Sequence, residues 1–308
     1  MVFFIAGIII AALFILGFKF YRISLHPHRH DHEESFNYEL EHESIKQKYY
    51  DVLEKEEFTA DSDFGYKING LWFPNRDTNG YESKRSVIIV HGYSVNMFTS
   101  LRFLKLFLDK GFNVLIYDQR FHGKSGGKNC SMGYYEKYDL RTLVTRVLDR
   151  TGFNSTVGIH GSSMGAATAV MHAAIDDRIS FTVADCPYDD LNREFAHRLK
   201  KDYKLPVFPL MYISSLITRL SMGFFFNTVS PLKDVDYIKT PILFIHGEQD
   251  DYVPPSCSIR MYEKVRGKKG LYLAKNAGHG ESIFVNRDAY EKVVYRFIDN
   301  LEPVKQQD

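Results

Sequence analysis

The stretch "VGIHGSSMGAATAV", residues 157–170, predicts a short strand that turns sharply into a helix, with a serine at the corner. Gly161 and Gly165 stand two residues before and two residues after Ser163. There they relieve the crowding that a Cβ atom causes in so tight a turn. We therefore expect Ser163 to project from the tip of the turn and the amide of Met164, at the helix start, to face a developing oxyanion.

This pattern alone is weak, because glycine and serine are common enough for G-x-S-x-G to occur by chance in roughly one chain in ten of this length. An ordinary glycine-flanked turn is the alternative interpretation. A base, an acid and a second oxyanion donor elsewhere in the chain decide between the two.

Composition narrows the possible classes. With 308 residues, 44% of them hydrophobic, the chain suits one large α/β domain. A net charge of +1 and the lack of a long Lys/Arg cluster argue against nucleic-acid binding. Cys130, Cys186 and Cys257 lie far apart and form no C-x-x-C pair, so they indicate structural thiols rather than a zinc site or a disulfide framework.

The N-terminus differs in kind from the rest. "VFFIAGIIIAALFILGF", residues 2–18, is 17 uncharged residues, about 26 Å as a helix, and predicts a transmembrane anchor over residues 1–20. No basic segment precedes it and no small-x-small site follows, which favours a retained anchor over a cleaved signal peptide. Lys19, Arg22 and Arg29 follow the span, so the positive-inside rule favours a cytoplasmic domain. The opposite topology stays open, because three charges bias insertion weakly.

Residues 21–57 are predicted to be a juxtamembrane linker and lead-in. They begin with "HPHRHDH", residues 26–32, whose alternating histidines suit either metal capture or a polar tether. The tether is favoured, since no carboxylate or cysteine framework fixes a metal geometry.

The globular domain is predicted over residues 58–308. Short β-branched runs alternate there with helical patterns, which is typical of a doubly wound, mostly parallel sheet. The clearest strands are "SVIIV", "NVLIY", "TVGIH", "FTVAD", "PILFI" and "LYLAK". Helices are predicted over residues 99–110, 136–150, 164–174, 256–265 and 288–301. Ligands bind beyond the carboxyl ends of such strands. The polar or reactive residues found there are His91, Tyr93, Asp118, Ser163, Cys186, His246, Asp250 and His279.

Five motifs in this order, "HGYSVN", "YDQRFHGKSGG", "GSSMG", "HGEQDDYVP" and "AGHGES", resemble the α/β-hydrolase fold family, in particular its membrane-anchored bacterial serine hydrolases. The resemblance covers roughly residues 60 to 301. It implies an eight-stranded, mostly parallel sheet with a helical cap insertion, and a triad in the chain order Ser, acid, His.

The resemblance assigns the catalytic roles. Ser163 is the expected nucleophile, with Ser162 a neighbour that packs or bonds locally. His279, between two glycines after the last strand, matches the family's final triad position and is the expected base. His91 and His246 each precede a glycine and are expected to shape turns.

The acid is expected to be Asp250, which matches the family's D-x-x-V-P position. Its role is to hold the imidazole in the right tautomer and to stabilise its cation. Glu248, Asp251 and Asp185 remain as rivals. The oxyanion hole is expected to use the backbone N–H groups of Tyr93 and Met164. "DQRFHGKSGG" is expected to fix a loop beside the site by hydrogen bonds.

The cap insertion is expected at about residues 187–237. It includes "LPVFPLMYISSLITRLSMGFFFN", apolar enough for one or two cap helices. Such a cap suits an apolar acyl pocket or contact with the bilayer; a buried underside with neither role is an equal alternative.

The sequence thus predicts a membrane-tethered serine hydrolase that cleaves carboxylic esters through an acyl-enzyme. A peptidase or thioesterase would use the same machinery, and a non-enzymatic membrane scaffold would have no need of all three triad candidates. The expected partners are a small-molecule ester or acyl substrate and the membrane, with no nucleic acid. Oligomeric state is left open. No cofactor and no metal are expected, because the sequence has no P-loop, Rossmann fingerprint or metal-ligand cluster.

Overall fold

Eight strands form one sheet at the centre of the protein. The structure, a computed structural model, describes residues 1–301; residues 302–308, the end of the predicted globular domain, lie outside the described residues. The strands are β1 Glu56–Asp61, β2 Lys67–Phe73, β3 Arg85–Val90, β4 Asn113–Tyr117, β5 Thr156–Ser162, β6 Phe181–Asp185, β7 Ile242–Gly247 and β8 Lys269–Ala274. Their order in the sheet is β1-β2-β4-β3-β5-β6-β7-β8. The pairs β1/β2 and β2/β4 are antiparallel, and the remaining pairs are parallel.

Helices cover the sheet and precede it. They are α1 Val2–Leu25, α2 His32–Glu41, α3 Gln47–Val52, α4 Leu104–Leu108, α5 Glu136–Thr151, α6 Met164–Ala173, α7 Leu191–Lys201, α8 Leu210–Met222, α9 Pro231–Asp234, α10 Ser256–Lys264, α11 Ser282–Val285 and α12 Arg287–Asp299. Short 3₁₀ segments lie at Met97–Phe103, Phe226–Thr228 and Val235–Tyr237. The helix expected at 99–110 is thus split, because Asn96 accepts a hydrogen bond from the N–H of Phe98 and starts a 3₁₀ segment earlier.

The core lies on both faces of the sheet. Alternate residues of β3 belong to opposite layers: Ile88 and Val90 pack with α5 and α6, whereas Val87 and Ile89 pack with α4 and α12. Because both faces are buried, β3 is a continuous apolar run rather than an alternating one. The six strands expected from the sequence correspond to β3–β8. The hairpin of β1 and β2 at the sheet edge is not among the expected strands, because three of the six residues of β1 are exposed and only Phe58 and Ala60 are apolar.

The segment predicted as a linker is folded against the domain. Helix α1 continues past the expected boundary at residue 20, and β1 begins at Glu56, two residues before the expected domain start. Between them, Glu39 of α2 forms an ion pair with Arg102 while fully buried. Phe36 packs edge-on against Phe98 at 5.6 Å between ring centroids. Residues 21–57 are therefore part of the globular unit.

Helix α1 is apolar enough to cross a membrane between Phe3 and Leu25, with mean hydropathy 2.5. Its first half is exposed, and its second half packs against α8 of the cap. The cap helices α7 and α8 lie between β6 and β7, inside the expected interval 187–237.

Candidate active site

Ser163 occupies a strained corner between β5 and α6. Its backbone has φ +55° and ψ −119°, a region that residues with a Cβ rarely adopt and that costs on the order of 1–3 kcal/mol. The flanking positions must be glycine, because a Cβ atom at either one would clash with the backbone. A Cβ on Gly161 would lie 2.3 Å from the carbonyl oxygen of Gly165, and one on Gly165 would lie 2.1 Å from that of Val90. The turn therefore presses α6 against the sheet and lifts the Ser163 side chain clear of the strand.

The three expected triad side chains meet at the carboxyl edge of the sheet. Nε2 of His279 lies 2.8 Å from Oγ of Ser163, and Nδ1 of His279 lies 2.7 Å from Oδ2 of Asp250. Since a carboxylate only accepts, Nδ1 carries the proton and Nε2 is left as the acceptor for the serine hydroxyl. Tyr252 packs against the imidazole with ring centroids 4.9 Å apart and limits its rotation.

Asp250 is buried and held by its own loop. Its Oδ1 accepts hydrogen bonds from the N–H groups of Tyr252 and Val253, at 3.0 and 2.9 Å. Burial acts to raise the pKa of Asp250, but hydrogen bonds from His246 and His279 outweigh it and hold this pKa well below its ordinary value. Asp250 therefore stays ionised beside the imidazole.

His246 is a residue whose part in the site the sequence did not reveal. It was expected to shape a turn, yet its Nε2 lies 3.1 Å from Oδ2 of Asp250. Nδ1 of His246 lies 2.7 Å from the Ser258 hydroxyl, and Nε2 lies 2.9 Å from the carbonyl oxygen of Val253. Because the carbonyl and the carboxylate both accept, Nε2 donates. The available signal was its position at the end of β7, four residues before Asp250.

The rival acids lie elsewhere. Asp251 is exposed and forms an ion pair with Lys201 at 2.6 Å. Asp185 is buried, accepts from the Tyr290 hydroxyl at 3.1 Å, and has its pKa raised to about 6 by burial. Glu248 is exposed.

The loop after β3 lies against the nucleophile. The position a Cβ would take on Gly92 is 3.5 Å from Cβ of Ser163, so the next residue, Tyr93, also lines the space above the serine. Met164, which follows Ser163, lines the same space. The two residues expected to supply the oxyanion hole therefore flank Ser163 on separate segments.

Two buried histidines support this loop. Nε2 of His122 accepts from the N–H of Ser94 at 3.1 Å, and Nε2 of His91 accepts from the N–H of Gln119 at 2.9 Å. Burial lowers the pKa of His122 to about 4 and that of His91 to about 3, so both rings are neutral and free to accept. The segment "DQRFHGKSGG" is therefore held to the loop after β3 by hydrogen bonds.

The histidine-rich tract after α1 packs against the loop of residues 118–127. His32 lies 2.8 Å from Oδ2 of Asp118, and the Arg29 guanidinium donates to the carbonyl of Ser125 at 3.1 Å. Asp118 also accepts from the N–H groups of Met97 and Lys124. The tract therefore fastens the N-terminal segment beside the site.

Comparison with known proteins decides the family. A sequence model of the alpha/beta hydrolase fold matches residues 85–212. The uncharacterized protein YqkD of Bacillus subtilis (strain 168) is 39% identical over 297 residues, 96% of this chain and 96% of that protein. The chain belongs to the α/β-hydrolase fold family.

Solved structures agree with this assignment. The esterase Pf2001 of Pyrococcus furiosus has a TM-score of 0.68 at 26% identity, covering 83% of this chain and 96% of that one. An acylaminoacyl peptidase of Pyrococcus horikoshii has a TM-score of 0.62 at 16% identity, covering 85% of this chain and 44% of that one, a likeness of fold alone. Together these similarities support a hydrolase.

A half-open pocket lies above Ser163 in this α/β-hydrolase. The side chains around it are mostly apolar or aromatic and come from three parts of the chain: α1, the loops around the triad, and the cap helix α7. The lining includes Phe20, Ile23, Met132, Met164, Tyr188, Glu194, Phe195, Arg198 and Tyr252. The pocket is therefore lined by elements that are distant from one another in sequence.

Cys186 lies close to Asp250 and His279. Its Sγ and one ligand atom each of Asp250 and His279 lie within 4.8 Å of one another, a spacing short enough for a metal ion. Metal binding needs a thiolate, however, and burial raises the pKa of the Cys186 thiol well above its ordinary value. The arrangement favours a protonated thiol packed under a hydrogen-bonded acid–base pair.

Proposed function

We propose that this α/β-hydrolase is a serine hydrolase that cleaves carboxylic esters through an acyl-enzyme. The observation that carries the proposal is the continuous chain of hydrogen bonds from Ser163 through His279 to Asp250, at 2.8 and 2.7 Å. A serine hydroxyl needs such a base to become a nucleophile at neutral pH.

In the first step, Oγ of Ser163 bonds to the carbonyl carbon of the ester while Nε2 of His279 takes the hydroxyl proton. The carbonyl π electrons move to the oxygen. The N–H groups of Tyr93 and Met164 stabilise that oxyanion, each by about 3 kcal/mol. Asp250 stabilises the imidazolium and keeps Nδ1 protonated.

In the second step, the tetrahedral intermediate collapses, the bond from carbon to the leaving oxygen breaks, and His279 gives its proton to the departing alcohol. Water then enters, His279 takes one of its protons, and the new oxygen–carbon bond forms. Collapse of this second intermediate returns the proton to Oγ of Ser163 and releases the carboxylic acid.

Esters with apolar groups are the proposed substrate class. The wall above Ser163 is built from side chains such as Phe20, Met132 and Phe195, which favour an apolar chain over a highly charged substrate. The likeness to the esterase Pf2001 supports an ester as the substrate.

We also propose that α1 anchors the enzyme in the cell membrane. Residues 2–16 form about 22 Å of free helix, less than the roughly 30 Å of a hydrocarbon core, so a span of this kind brings the cap to the bilayer surface. The cap is suited to that position, because Tyr212, Leu216 and Leu220 of α8 are exposed there.

The catalytic domain is proposed to face the cytoplasm, on the basis of Lys19 and Arg22 after the exposed half of α1. Arg29 adds less than expected, because its guanidinium is bound to the loop at Ser125. A C-terminal fusion to a fluorescent protein that matures only in the cytoplasm tests the side.

Labelling with a fluorophosphonate probe tests the catalytic proposal without knowledge of the substrate. The full chain in detergent is expected to label, Ser163→Ala to lose all labelling, and Ser162→Ala, the matched neighbour, to keep it. A folded wild type that resists the probe would overturn the serine-hydrolase proposal and favour a scaffold. Equal labelling of the two variants would place the reactive serine elsewhere.

A further inference from the structure

The end of the N-terminal helix lies in the wall of the active-site cavity. Phe20, Ile23 and Ser24 of α1 line the same space as Ser163. Phe20 is only 5% exposed, and its ring meets that of Phe195 from α7 edge-on, with centroids 5.5 Å apart. The helix expected to serve only as an anchor therefore faces the nucleophile across the cavity.

Hydrogen bonds fix this end of α1 to the catalytic domain and the cap. The Tyr93 hydroxyl donates to the carbonyl of Ile23 at 2.6 Å, and the N–H of Cys130 donates to the carbonyl of Leu25 at 2.9 Å. On the other side, the Ser214 hydroxyl of α8 donates to the carbonyl of Gly17 at 2.7 Å. Leu25 is completely buried.

Ile23 marks the place where the part of the pocket wall formed by α1 reaches the protein surface. Ile23 lines the cavity and is also 51% exposed, so it stands at the rim. The exposed apolar residues of the first half of α1 continue from there along the same helix. An apolar chain that lies against Phe20 can therefore leave the pocket past Ile23.

We propose that α1 is a specificity element of the active site: Phe20 and Ile23 form the wall against which the acyl chain of the substrate packs. The inference rests on the proposed ester hydrolysis and narrows its substrates to esters of apolar, chain-like carboxylic acids. One helix then serves both as the anchor and as part of the acyl-binding site.

Chain-length selectivity of the full-length protein in detergent tests this assignment. The measurement is kcat/KM on p-nitrophenyl butanoate, octanoate and dodecanoate. Phe20→Ala lengthens the cavity, and the ratio of dodecanoate to butanoate is expected to rise about tenfold or more, the scale at which a pocket discriminates small apolar groups. Ile23→Trp narrows the rim, and the same ratio is expected to fall by a similar factor.

Matched controls separate the wall from the anchor. Phe14→Ala and Ile15→Trp make the same replacements on the exposed part of α1 that precedes Gly17, where both residues are 55% exposed, and are expected to keep the wild-type ratio. Ile23→Trp decides the matter if Phe20→Ala does not fold, because Ile23 is half exposed and tolerates a larger side chain.

Fluorophosphonate labelling of the same samples distinguishes the two possible failures. Ratios within about twofold of wild type for both wall variants, in proteins that still label at Ser163, would overturn the assignment and leave ester hydrolysis standing. A wild type that does not label would overturn the proposed hydrolysis itself.

Discussion

The two halves of α1 are both rich in apolar residues but have opposite surroundings. Phe3 near its start is 93% exposed, whereas Phe20 is 5% exposed and Leu25 is fully buried. Hydropathy measures how strongly a segment avoids water, and it does not tell whether lipid or protein replaces the water. The contrast teaches that a helix of uniform hydropathy can pack against protein along one part and leave the other part exposed.

Shortening α1 in two steps, first by its exposed part and then by the whole helix, is expected to have the largest effect. Deletion of residues 2–16 removes the mostly exposed part of the helix, so the product is expected to fold, keep its activity and move from the membrane pellet to the supernatant. Deletion of residues 2–25 also removes Phe20, Tyr21 and Leu25 from the cluster that they form with the cap. Each large core side chain contributes several kcal/mol, so this product is expected to aggregate or lose all activity.

Fractionation, circular dichroism and ester hydrolysis on both deletions check this contrast. An active, folded protein without residues 2–25 would show that the packed half of α1 is dispensable. Loss of fold in the shorter deletion would show that the exposed half has a structural role as well.

The pKa of Glu194 depends on how completely the packed half of α1 keeps water from its side chain. It lies on α7 in the same wall as Phe20, is 6% exposed, and its Oε1 has no hydrogen-bond partner among residues 1–301. Burial, assisted by nearby carboxylates such as Asp250, raises its pKa from 4.5 to about 8, against the opposing charge of Arg198. The folded protein therefore binds this proton more tightly than the unfolded chain does.

The sign of the pH effect follows directly. The stabilising contribution of Glu194 is complete below about pH 4.5 and is lost as the pH rises through about 8. Relative to Glu194→Gln, which cannot titrate, the wild type is expected to lose stability by about 1.4 kcal/mol per pH unit within that window. Urea unfolding at pH 5, 7 and 9 measures the difference. Parallel curves for the two proteins would show that water reaches Glu194 and that α1 leaves the cavity open.

Much of the site was predictable because its determinants are local. The turn at Ser163 depends on two glycines within five residues, and Asp250 and His279 each lie in a short loop directly after a parallel strand. Strands that run the same way bring their carboxyl ends to one edge, so the order of strands along the chain was enough to group these residues.

The remaining features depend on contacts between distant segments. Gly17 contacts Ile213, which lies nearly two hundred residues away in the sequence. The pattern of apolar residues in α1 does not distinguish its packed half from its exposed half. The many charged residues of segment 21–57 predict a solvent-exposed linker. The burial of Glu39 depends on Arg102, which is far away in sequence. His246 was expected to shape a turn. Its contact with Asp250 could not be predicted, because it depends on how the loop after β7 folds back.

The crossing of α1 and α8 gives the smallest expected effect and the most closely matched comparison. A Cβ on Gly17 would lie 2.6 Å from Cγ2 and 2.9 Å from Cβ of Ile213, so Gly17→Ala forces the two helices apart. Overpacking of this kind costs typically about 1–3 kcal/mol, partly offset by the better helix propensity of alanine, about 1 kcal/mol. Gly7→Ala gains the same propensity and meets nothing within 4 Å.

Thermal unfolding in detergent compares the two variants. Gly17→Ala is expected to lower Tm by several degrees, whereas Gly7→Ala is expected to leave Tm unchanged, because the exposed half does not take part in the cooperative unit. Equal Tm values would mean that α1 and α8 slide apart without cost, and the close crossing would then not be what holds Phe20 in the cavity wall. A lower Tm in Gly7→Ala as well would mean that the exposed half unfolds together with the cap.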